Sequence, residues 1–120
     1  MAIDDLDRID RLAFNRKNGD VLLVISDHLD WEKNEGEHLL VLQDKLNTYL
    51  GFVESGQLYA KHPRAVGNKV IFYVMGKFPL SEEAGKFYQL AGKAIHDAGF
   101  SLQFVHLKPG EAGQTFVREF

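Results

Sequence analysis

The run Val21-Leu22-Leu23-Val24-Ile25-Ser26, followed at once by Asp27-His28-Leu29-Asp30-Trp31, constrains this chain more than any other segment. An aliphatic, β-branched run without polar alternation is satisfied by a strand inside a sheet, covered on at least one face. The strand therefore delivers two carboxylates, an imidazole and an indole to the rim of a core. These four residues either form a site or cap the strand and close the core.

The flanking segments place that strand. Ile9 to Phe14 leads into Lys17-Asn18-Gly19-Asp20, and Asn-Gly between two β-type runs predicts an antiparallel hairpin because both residues tolerate positive φ. Asn34-Glu35-Gly36-Glu37 resembles a capping box, with the Asn34 side chain accepting an orphan amide and Glu37 reaching back. Leu39, Leu42, Leu46, Tyr49 or Leu50, and Val53 then recur at helical spacing. Asp44, Lys45 and Glu54 are expected on the exposed face, and Ser55-Gly56 supplies a left-handed stop. Gln57 to Asn68 has no clear period and reads as a loop.

Lys69 to Met75 is a further strand, ended by Gly76 and Pro79. Ser81 caps a second helix whose first turn carries Glu82 and Glu83 and whose expected buried stripe is Ala84, Phe87, Ala91, Ala94, Ile95 and Ala98. Gly85 and Gly92 each cost helix propensity, which predicts a close approach of another element at both. Gly99 stops the helix and Phe100 to Leu107 alternates as a fourth strand. Pro109-Gly110 turns the chain, and residues 108–120 read either as an edge strand or as a mobile tail.

The order ββαβαβ implies an α+β (or α/β) two-layer sandwich: a four-stranded mixed sheet with two helices on one face, if the later connections are right-handed crossovers. At 120 residues and 45% apolar content, one domain is expected. A net charge of −3 gives no general pull toward nucleic acid or anionic lipid. The absence of cysteine removes disulfides, thiolate metal sites and thiol nucleophiles. Residues 1–10 lack the basic start and apolar stretch of a signal peptide, and no run approaches a membrane span, so a soluble cytoplasmic location is expected.

With parallel strands, ligands gather beyond the carboxyl ends of the sheet. Those ends carry Asp27, His28, Asp30 and Trp31 from one strand, Lys77 from the next, and His106 and Lys108 from the last. Asp27, His28 and Asp30 are candidate metal ligands, with Glu35, Glu37 or His38 available to complete a shell, although the spacing matches no specific metal motif. The competing reading makes Asp27 and Asp30 turn caps and leaves His28 in solvent. His28 with either carboxylate is also a possible acid–base pair, but no nucleophile elbow surrounds Ser26. Neither Gly-x-Gly-x-x-Gly nor a Walker pattern occurs, and no cofactor is implied. Trp31, the only Trp, is either a ligand-stacking or partner-anchoring residue or a lid folded back on the core. The basic loop with Tyr59, Lys61, His62, Arg64 and Lys69 reads as a phosphate or acidic-partner surface or as a plain solvated loop.

The strand-end run Val21 to Trp31, together with Ile9-Asp10, Glu37-His38-Leu39-Leu40, Glu54-Ser55-Gly56, Gly76-Lys77-Phe78-Pro79-Leu80-Ser81 and Ala98-Gly99-Phe100, resembles a family of small bacterial proteins of unknown function. The resemblance spans Ile9 to Phe104. It implies a bacterial, cytosolic protein and transfers no activity.

Three functions remain open. The leading one is a small non-enzymatic binding or interaction domain, because every catalytic constellation lacks a part. The second is a metal- or small-ligand-dependent enzyme or sensor at Asp27, His28 and Asp30, with Lys77 or His106 adding charge. The third is a homodimer built on a strand edge or on Phe116 and Phe120.

Overall fold

The computed structural model describes residues 11–106 and 117–120. Strand β1 (Arg11–Phe14) pairs antiparallel with β2 (Val21–Asp27), Phe14 opposite Val21. The predicted turn closes through Gly19 N–H donating to the Asn15 carbonyl at 2.8 Å, with Gly19 at φ 79°. β2 pairs in parallel with β3 (Val70–Gly76), and β3 in parallel with β4 (Ser101–His106). A fifth strand, β5 (Val117–Glu119), adds antiparallel to β4. The α+β class is as expected, but the sheet has five strands in the order β1-β2-β3-β4-β5, one more than the sequence suggested. The additional strand comes from the tail, on the edge-strand reading; Lys108 and Phe116 lie outside the described residues.

There are three helices among the described residues rather than two: α1 (Glu35–Glu54), α2 (Gln57–Lys61) and α3 (Glu82–Asp97). The segment read as a loop holds α2 and a single 3-10 turn at Pro63–Ala65. Gly56, at φ 87°, reverses the chain, and the fully buried Leu58 and Ala65 pin both short turns to the core. Elements of three and five residues are too short to show a period, which is why the sequence hid them.

Alternate residues of the central strands face α1 and α3: Val21, Leu23 and Ile25, then Val70, Phe72 and Val74, then Leu102 and Phe104. Both helices lie on that face, as crossovers of one hand require when each joins parallel neighbours and the sheet grows in a single direction. No helix among the described residues is long and apolar enough to cross a membrane.

The helices bury somewhat different stripes from those expected. On α1 the buried residues are His38, Leu42, Lys45, Leu46, Tyr49 and Val53. Lys45, expected on the exposed face, is completely buried, with its ammonium 5.5 Å from the centre of the Tyr49 ring. Positions 38, 42, 45 and 49 share one face at helical spacing, and membership of that face overrides the polarity of Lys45. On α3 the stripe is Ala84, Tyr88, Gly92 and Ile95, while Ala94 and Ala98 are exposed. The helix is thus rotated toward its tyrosine.

The two α3 glycines part company. A Cβ on Gly92 would lie 2.6 Å from the backbone of Phe120, so the close approach predicted there exists. Nothing lies within 4 Å of a Cβ on Gly85, and the same expectation fails at that position.

Candidate functional site

Because side chains alternate along a strand, Asp27 follows Ile25 onto the helix side of the sheet, where it is 3% exposed. Its carbonyl accepts the Lys77 N–H at 2.9 Å, joining the ends of β2 and β3. Its carboxylate accepts the Leu29 N–H at 3.1 Å, an Asx turn that bends the chain out of the sheet. Asp30 does the same for the next turn, accepting the Glu32 N–H at 2.8 Å. These two turns are what the capping reading of the aspartates requires.

Asp27 also holds a histidine. His38, one turn into α1 and 2% exposed, has Nε2 at 2.8 and 2.7 Å from the two Asp27 carboxylate oxygens. Trp31 folds back over the imidazole, with ring centres 3.4 Å apart and planes 16° from parallel. At 5% exposure the indole has the position of a lid on the core. With the Asp27 carboxylate on Nε2, the ring cannot flip without losing a charge-assisted hydrogen bond. Nδ1 of His38 is buried and has no hydrogen-bond partner.

From α3, Tyr88 reaches the same interior, fully buried, and its hydroxyl also lacks a partner. Burial pushes the phenol well above its ordinary pKa of 10.0, and the Asp27 carboxylate raises it further. A second tie lies nearby. The Ser81 hydroxyl donates to the Glu35 carboxylate and accepts the Ala84 N–H at 3.1 Å, so the N-cap of α3 is bound to the first residue of α1. Asn34 occupies the N-cap position of α1, but its side chain makes no cap hydrogen bond. The capping box is therefore not formed: Glu35 turns to Ser81, and α1 starts with acids facing its positive end instead.

In parallel sheets the paired helix starts are commonly an anion site. Here Glu35, Glu82 and Glu83 occupy the first turns and supply the negative charge from the chain itself. That arrangement disfavours a phosphate ligand.

Two hollows open at this end of the sheet. The first, about 340 Å³, is walled by Asp30, Lys33, Asn34, Glu37 and His38, with Leu29 and Val41 as its apolar part. The second, about 270 Å³, is lined by Arg11, Ser26, Asp27, His28, Met75 and Lys77. The residues singled out from the sequence are thus divided. Asp27 and Trp31 meet around His38, and Asp30 lies in the first hollow. His28 and Lys77, both exposed, lie in the second, and His106 donates from Nε2 to the Lys77 carbonyl at 3.2 Å. Among the described residues, no group of three or more His, Asp or Glu side chains is placed to share a metal ion.

Sequence reasoning named His38 only as one possible member of a metal shell, and it did not single out Tyr88 or the Glu35 and Ser81 pair. The signal for His38 was its place four residues before Leu42 on the buried face of α1. The Tyr88 signal was its place four residues after Ala84 on the buried face of α3. Nothing in the sequence marks the contact between Glu35 and Ser81, which are 46 residues apart.

No curated protein and no solved structure matches the chain. A family model does match, over residues 1–108, which takes in the whole of the Asp27, His38, Trp31 and Tyr88 cluster and, among the described strands and helices, leaves β5 outside. The chain belongs to a family of unknown function, DUF6572.

Proposed function

We propose that this protein is a small non-enzymatic binding domain whose ligand occupies the 340 Å³ hollow between the β2–α1 connection and the first turns of α1. The observation that carries the reading is His38. It is a wall residue of that hollow, held through Nε2 by Asp27 and by the stacked ring of Trp31, so that this side of the hollow is rigid. A wall held so firmly is formed before any ligand arrives, which spares a small-ligand site the cost of ordering on binding. The volume is at the lower end for such sites, which favours a small ligand. No side-chain nucleophile is hydrogen-bonded to the imidazole among the described residues, and this supports binding over catalysis.

Trp31, the sole tryptophan, provides the test without a label. A panel of anions, cations and neutral small molecules at millimolar concentration is titrated while Trp31 emission and amide NMR shifts are followed. The reading expects at least one saturable ligand whose shifts centre on residues 29–41. Saturable binding elsewhere on the protein, with none at this hollow, would refute it.

A second reading, action through a protein partner, is favoured by the groove between α1 and α3. Leu50, Phe87, Leu90 and Ala91 line it, and Leu90 is 73% exposed. Pull-down by the wild type but not by Leu90→Lys would support that reading.

A further inference from the structure

We infer that the end of the sheet opposite the candidate site is a docking surface for an acidic, partly apolar segment of a partner protein. β2 and β3 begin at this end, and the fold brings two separated stretches to it: the turn of the β1–β2 hairpin, and the segment through α2 that leads into β3. The Val21 N–H donates to the Lys69 carbonyl at 2.8 Å. The Arg64 guanidinium lies 4.0 Å from the centre of the Phe14 ring, and the His62 ring is centred 6.4 Å from the same ring. These contacts join residues 15–20 and 54–69 into one surface.

Charge is the first reason. On this surface Arg16, Lys17, Lys61, Arg64 and Lys69 stand against Asp20 and Glu54, in a chain whose net charge is −3. All five cations are exposed, and among the described residues none of them is in an ion pair. Two are held by rings instead: Arg64 on Phe14, and Lys61 with its ammonium 5.8 Å from the centre of the Phe52 ring. A ring positions a cation without cancelling its charge, so both remain open to a carboxylate. The other end of the same strands is acidic by contrast, with Asp30, Glu32, Glu35, Glu82 and Glu83. That asymmetry steers an acidic partner to the basic end.

Val66 separates a protein segment from a phosphate polymer. It is 66% exposed, between Arg64 and Lys69 in the chain. An apolar side chain ringed by charge matches a protein interface, apolar at its centre and polar at its rim. Phosphates gain nothing from it. Single-stranded nucleic acid asks for open rings on which bases stack, and here one face of Phe14 is taken by Arg64. The acidic end of the molecule also repels a polyanion long enough to reach past the patch, a cost that a short acidic segment avoids.

The test uses the full chain and a short synthetic peptide alternating Glu, Leu and Asp. The same peptide with amides in place of its acids, the same peptide with Ser in place of Leu, oligothymidylate, and phosphatidylserine vesicles form separate arms. Amide NMR shifts of residues 15–20 and 57–69 report occupancy, and urea unfolding checks that each variant is folded. The expected result is saturable binding of the acidic peptide centred on those residues, with none of the amide peptide. Combining Lys17→Glu with Lys69→Glu, both exposed positions, should weaken it about tenfold, and added salt should weaken it too. Val66→Ser, or loss of the leucines from the peptide, should weaken it severalfold. Tighter binding of oligothymidylate or of the vesicles at these residues overturns the assignment to a protein segment. Equal binding of the leucine-free peptide overturns its apolar part. Equal binding of the amide peptide, or no shift at residues 15–20 and 57–69 with any probe, overturns the docking surface itself.

Discussion

Two glycines seven residues apart on the same helix should respond to alanine with opposite sign. At Gly85 a methyl group meets nothing within 4 Å and the backbone is helical, so Gly85→Ala gains only the helix propensity difference, about 0.8–1 kcal/mol. That corresponds to a rise in Tm of about 3–5 °C for a chain of this size. At Gly92 the same gain is available, but the new Cβ would lie 2.6 Å from the Phe120 carbonyl carbon and Cβ, well inside ordinary contact at 3.4–4 Å. The last strand must retreat by about 1 Å. In doing so it weakens the hydrogen bond from Phe120 N–H to the Leu102 carbonyl, 2.9 Å long, which is worth about 1 kcal/mol. It also disturbs the packing of Phe120 on Tyr88, with ring centres 5.1 Å apart, and forfeits part of the roughly 1.5–3 kcal/mol of a buried apolar side chain. The net expectation is a loss of about 1–2 kcal/mol, against a gain for Gly85→Ala. Urea unfolding of both variants, in the full chain and in a chain ending at residue 116, decides the matter. In the shortened chain Gly92→Ala should become stabilising, since the obstacle is gone. Stabilisation by Gly92→Ala in the full chain would refute the argument.

The interior around Asp27 yields further expectations. Asp27→Ala leaves His38 Nε2 buried without its partner and should cost about 3 kcal/mol or more by chemical denaturation; a cost below 1 kcal/mol would show the pair to be dispensable. Tyr88→Phe removes a hydroxyl that has no partner and should be neutral or stabilising by up to about 1 kcal/mol. The phenol's pKa is raised in the folded state, so its contribution is intact below the unfolded value near 10.0 and is lost as pH rises toward the folded value. Stability of the wild type should therefore fall more steeply above pH 10.0 than that of Tyr88→Phe; superimposable alkaline curves would contradict this. Ser81→Ala deletes both the α3 cap and the link to Glu35 and should cost about 1–2 kcal/mol, whereas Glu35→Gln, which spares the cap, should cost less in the same urea titration.

What could be read from the sequence was what periodicity and turn chemistry control. The unbroken apolar run from Val21 to Ile25 marked a central strand, Asn18-Gly19 marked the hairpin, and Ser81 and Gly99 marked the ends of α3. Asp27 and Trp31 were recognised as strand-end residues of special character. Their shared partner His38 is selected by the rotation of α1 on the sheet, a tertiary property that a residue list does not contain. The same rotation buries Lys45, and the rotation of α3 buries Tyr88 in place of Ala94 and Ala98. Helical spacing tells which residues share a face, and packing decides how far round that face extends.

Strand order in this sheet is identical to order along the chain. A nascent chain leaving the ribosome therefore never has to hold a strand open for a neighbour yet to be synthesised between two existing ones. β2 finds β1 already made, β3 finds β2, and each addition only lengthens a sheet that has begun to form. Vectorial growth of this kind suits a chain whose longest single wait is the stretch through α1 and α2 from β2 to β3. During that interval Asp27, His38 and Trp31 have all emerged, so the buried pair and its indole cover are available to hold α1 on the first hairpin before the third strand arrives.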